Sequence, residues 1–119
     1  MADNKEYLIH QETMGMIQIS EDVVASIATS AALETEGVGG LLSANLPDFM
    51  AGKKMTGKGV RVEMVEDAIV VHLFIMIRYG FAVADVAGKV QGAVFSALQD
   101  MTGFGVKAVN VHVGGISFE

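Results

Sequence analysis

Residues 68–77 read Ala-Ile-Val-Val-His-Leu-Phe-Ile-Met-Ile, and the reading of this stretch decides the fold. It is a strand with two apolar faces. Ile69, Val71, Leu73, Ile75 and Ile77 alternate onto one side, and Ala68, Val70, His72, Phe74 and Met76 onto the other. Successive side chains of a strand point to opposite sides of the sheet, so this pattern demands cover above and below. A chain of 119 residues with two helices covers one side of its sheet. The second side is expected to meet another chain.

Bulk composition narrows the possibilities. The length suits one domain that buries about 65% of the surface its unfolded chain would expose. With 51% hydrophobic and 18% charged residues, the chain belongs among packed globules and not disordered segments. A formal charge of −6 opposes direct binding to nucleic acid or an anionic lipid surface, because both require clustered cations. The absence of cysteine excludes disulfides, thiolate metal sites and cysteine nucleophiles. The start, Met1-Ala2-Asp3-Asn4-Lys5-Glu6, lacks the basic and apolar regions of a signal peptide. The run from Ala68 to Ile77 is far shorter than the roughly 18 apolar residues of a membrane span. A cytoplasmic protein without direct membrane insertion is expected.

Working outward, residues 1–13 form a polar tail or an edge strand through Tyr7-Leu8-Ile9, and a single α+β domain fills 14–119. Gly15-Met16-Ile17-Gln18-Ile19 is a short strand, and Ser20 is an N-cap followed by Glu21 and Asp22 at the positive end of the helix dipole. The first helix extends to about Glu36, with Gly37 as its stop. Residues 37–58 form a long loop, holding five of the 14 glycines and the only proline, Pro47. Val60-Arg61-Val62-Glu63-Met64 alternates as a half-buried strand, and Glu66-Asp67 turns the chain into the opening strand. A second helix runs from about Ala82 to Thr102 and ends at Gly103, and the last strand runs from Lys107 to Val113. The order is β-α-β-β-α-β, a ferredoxin-like pattern with both helices on one face of a mainly antiparallel sheet.

Each helix carries a stripe of small residues: Ala25, Ala28 and Ala32 in the first, Ala84, Gly88, Gly92 and Ser96 in the second. A helical glycine costs about 0.8–1 kcal/mol relative to alanine, so the stripe calls for a reason. Close contact between the helices supplies one; a ligand or partner pressed against Gly88 and Gly92 supplies another.

Chemistry is sparse. Gly52-Lys53-Lys54-Met55-Thr56-Gly57-Lys58 matches the start of a phosphate-loop pattern, but Gly59 stands where Ser or Thr would bind magnesium, and a strand follows where a helix is required. Lys53, Lys54 and Lys58 read instead as a flexible basic contact loop. His72 and His112 both belong to the open sheet face, with Asn110 beside His112. In ferredoxin-like order the first strand would separate them, which opposes a shared metal. No serine sits in a nucleophile elbow and no base has an evident partner, so neither catalytic residues nor a cofactor are assigned.

Seven spaced motifs then occur in order: Gly15-Met16-Ile17-Gln18-Ile19-Ser20, Glu36-Gly37-Val38, Lys58-Gly59-Val60, Tyr79-Gly80, Val90-Gln91, Met101-Thr102-Gly103 and Val109-Asn110-Val111. Together they resemble the alkaline-shock, or envelope stress response, protein family of Gram-positive bacteria, over about residues 14 to 119. The resemblance implies a small, cytoplasmic, non-enzymatic protein that self-associates and supports the envelope stress response. It also implies recruitment to the cell membrane through a membrane-anchored partner of the same family. The family's usual acidic or low-complexity tail does not follow the last strand here. The expected self-association face is Val70, His72, Phe74, Met76 and Asn110. The competing expectation is a small-molecule-binding regulatory domain, with the glycine-rich loop closing over a ligand beside Gly88 and Gly92.

Overall fold

The computed structural model describes residues 7–12, 14–42, 59–66 and 68–118. Its central element is the strand β5 (Ala68–Arg78), which carries a neighbour on each edge. On one edge, β4 (Val60–Val65) runs antiparallel from Val60↔Leu73 to Val65↔Ala68, joined to β5 by a two-residue turn. Glu66 in that turn adopts φ +57, the left-handed conformation that two-residue hairpins require. Asparagine tolerates this conformation better than glutamate. Glu66→Asn is therefore expected to raise stability by about 0.5–1 kcal/mol, measured by urea denaturation. On the other edge, β6 (Gly105–Ser117) runs parallel to β5 along its whole length. Parallel neighbours need a crossover, and the helix α2 (Val83–Thr102) provides it.

Both helices lie on one face of this sheet. The first, α1 (Glu21–Leu33), is capped by Ser20, whose hydroxyl accepts from the Val23 N–H at 3.4 Å. It buries Val24, Ala25, Ala28 and Ala32. The second buries Val86, Val90, Val94 and Leu98, and ends on Gly103 in the left-handed conformation. Beneath them lie Ile69, Val71, Leu73, Ile75 and Ile77, all fully buried. The first apolar face of β5 is thus core, as its alternation requires. The architecture is α+β, two helices on one face of a mainly antiparallel sheet, in keeping with ferredoxin-like order.

Four details depart from the sequence reading. First, residues 38–41 are not loop: Val38–Leu41 forms β3, antiparallel to β5 and on the same edge as β4, with Val38↔Ile77 and Leu41↔Ile75. A Cβ on Gly39 would lie 2.5 Å from that of Ser117, so a bare backbone is what admits the Ser117 side chain there. Second, α1 closes at Leu33, and Gly37 lies in the turn beyond it. Third, β2 (Gly15–Ser20) does not enter the main sheet. It pairs with β1 (Tyr7–Glu12) in a two-stranded ribbon, which meets the body where β2 contacts α1. Because β2 stays outside, β5 and β6 are direct neighbours.

The fourth departure concerns the small-residue stripe of α2. Ala84, Gly88, Gly92 and Ser96 face solvent, and a Cβ built on Gly88 or Gly92 meets nothing within 4 Å. Contact between the helices does not explain these glycines. Replacing both by alanine is expected to stabilise the fold by about 1–2 kcal/mol, since helix propensity improves and nothing is displaced. Thermal denaturation followed by circular dichroism measures it.

Candidate interaction face

The face of β5 opposite the helices is set by register. Val70, His72, Phe74 and Met76 alternate onto it, and the pairings with β4 and β6 place their neighbours. His72 has Arg61 of β4 on one side and Asn110 of β6 on the other. Val70 lies between Glu63 and Ala108, and Phe74 pairs with His112. The five residues proposed from sequence therefore share one face, with Arg61, Glu63 and His112 added to them.

The apolar and polar members are interleaved. Glu63 forms an ion pair with Arg61, and its Oε2 lies 3.5 Å from His72 Nε2. Arg61 Nε is buried without a hydrogen-bond partner among the described residues. The His112 ring stacks on Phe74 with centroids 4.6 Å apart, and on His72 at 5.8 Å. Phe74 is only 5% exposed, with the His112 ring stacked on it and Leu42 bonded to its carbonyl. Val70, His72, Met76 and Asn110 are half-buried, whereas His112 is exposed. The face is a shallow apolar floor held under a polar net, a composition suited to contact with another surface.

Sequence reasoning placed His72 and His112 apart; the direct pairing of β5 with β6 brings them together. Among the described residues, no group of three or more His, Cys, Asp or Glu is arranged to hold a metal ion. Arg61 and Glu63 are additions from the structure, although the alternation Val60-Arg61-Val62-Glu63-Met64 already put both on the side away from the core. Lys53, Lys54 and Lys58, the expected contact loop, lie outside the described residues.

Comparisons with known proteins agree with this fold. The solved structures similar to it include variants of the MamM C-terminal domain. One, in a zinc form, superposes with a TM-score of 0.56 at 16% identity, covering 79% of this chain and 84% of that one. A second variant gives 0.54 at 18% identity, covering 79% and 93%. At these identities the likeness establishes the fold alone. Sequence relatives lie nearer. YqhY of Bacillus subtilis, an uncharacterized protein, is 31% identical over 115 residues, covering 92% of this chain and 84% of its own. Spy1535 of Streptococcus pyogenes, also uncharacterized, is 35% identical over 109 residues, covering 91% and 84%. A family model described by a cell envelope-related function matches residues 9–118. Nearly the whole chain is spanned by that match, and it belongs to the alkaline-shock protein 23 family, whose function is related to the cell envelope.

Proposed function

We propose that this chain is a non-enzymatic, cytoplasmic scaffold or adaptor that self-associates through the open face of its sheet and supports the envelope stress response. A membrane-anchored partner of the same family would recruit it to the membrane; among the described residues no helix is long and apolar enough to cross one. The observation that carries the reading is the second face of β5. Val70, Phe74 and Met76 line it, and both helices pack on the opposite side. The β1–β2 ribbon adds support. Two-stranded ribbons are marginal alone in water, and this one exposes Met16 and Ile17, side chains that gain by association.

Light scattering of the protein over a wide range of concentration tests the proposal. A mass that rises from one chain to two or more is expected, and a single-chain mass at every concentration would remove it. The competing ligand-binding reading has less to stand on. Gly88 and Gly92 lie on the outward side of α2 with open space beside them, so they form no cleft wall.

A further inference from the structure

On the side of the molecule away from the open sheet face, α1 and α2 leave a shallow groove of about 340 Å³ between them. Its floor and walls are Ile27, Ser30 and Ala31 of α1 with Ala97 and Met101 of α2, and Glu34 closes it where α1 ends. The small side chains at 30, 31 and 97 create the depression, and Met101, 69% exposed, stands at its rim. Methionine is an adaptable contact side chain with no reason of its own to be in water.

The electrostatics of this groove have one sign. At the groove's end of the two helices stand Glu34, which lines it, Glu36 and Asp100, with no lysine or arginine among residues 26–36 or 97–103. Lys89 is paired with Asp85 at 3.6 Å, one turn from the start of α2 and distant along the helix from the groove residues. The groove is built from the C-terminal stretches of both helices, where backbone carbonyls give a partial negative charge. Neither last turn carries a basic residue, and Glu34 and Asp100 add negative charge where cations are the favoured neighbours. An arrangement that works against both helices is explained if a cation from elsewhere completes it.

We infer that this groove docks a cationic amphipathic helix of a partner protein. The apolar side of that helix would insert one or two large side chains between Ala31 and Ala97. Its lysines or arginines would meet Glu34 and the carbonyl ends of the two helices. Grooves between helices commonly take a helix in this way. The surface is separate from the open sheet face, so this inference stands independently of self-association.

The test uses the whole protein and a designed probe, a peptide of about 18 residues with leucines at i, i+3, i+4 and i+7 and lysines elsewhere. Binding is followed by fluorescence anisotropy and by NMR shifts of the Met101 and Ile27 methyl groups. The peptide is expected to bind and to shift both methyls. Glu34→Lys should weaken binding about tenfold, the effect of one reversed rim charge. Ala97→Phe, which fills the depression from an outward-facing position, should weaken it at least as much. Val70→Lys, on the other side of the sheet, should leave it unchanged. A scrambled peptide of the same composition should bind weakly. Three results would overturn the inference: no binding by the designed peptide, equal binding by the scrambled one, or indifference to Ala97→Phe.

Discussion

Gly59→Ala is expected to lose about 3 kcal/mol or more of folding stability, and to lower the melting temperature by about 10–20 °C. Two causes combine at this position. Gly59 holds φ +83, a conformation that strains any residue with a Cβ. The added methyl would also lie 2.5 Å from the Leu42 carbonyl oxygen and 2.9 Å from that of Phe74. Both are backbone atoms fixed by the sheet, so neither yields as a flexible side chain would. The Phe74 N–H donates to the Gly59 carbonyl at 2.8 Å, and the Phe74 carbonyl accepts from the Leu42 N–H at 2.8 Å. Moving Gly59 therefore disturbs both bonds on the central strand. Urea denaturation of Gly59→Ala beside the Gly88/Gly92 alanine variant checks the argument, because the two changes should act in opposite directions.

Val70→Lys is expected to weaken self-association by at least about thirtyfold while leaving the fold intact. Val70 is half-buried on the open face, and its register neighbour on β4 is Glu63. A lysine there gains an opposite charge across the strands, and its stem lies along the apolar surface while the ammonium reaches water. In an assembled interface the same ammonium would be taken out of water, at a cost of several kcal/mol. Sedimentation velocity measures the loss, and circular dichroism with melting verifies the fold. Unaltered assembly would place the contact elsewhere. Phe74 is the less informative position. It is buried within its own chain, with His112 stacked on it, so a charge at 74 would unfold the sheet as readily as it would separate neighbouring copies.

Much of the architecture was legible because it rests on strong local signals. The two faces of residues 68–77, the Ser20 cap and the Gly103 stop each follow from one physical requirement, and each stands where the sequence put it. Strand β3 was not legible, since Val-Gly-Gly-Leu has the composition of a loop. Gly39 answers to a neighbour far along the chain, Ser117, which no local rule detects. The position of β2 was misread for a related reason. Its sequence suits any sheet, and the choice of β1 as partner depends on contacts that propensity does not encode. That single choice also displaced His72 relative to His112. The stripe on α2 was legible in retrospect. Positions 84, 88, 92 and 96 lie two residues from 86, 90, 94 and 98, about 200° around a helix, so the buried Val86, Val90, Val94 and Leu98 already assigned the glycines to the outside. On the candidate face, alternation alone located Val70, His72, Phe74 and Met76. The ion pair of Arg61 with Glu63 required the register of β4 against β5.

One residue of the central strand, Phe74, holds with its N–H and its carbonyl both Gly59, just before β4, and Leu42, just after β3. The sheet is thereby closed before and after residues 43–58, as if that stretch had been spliced into a continuous edge. A displacement of Phe74 would therefore release both flanks of that stretch at once.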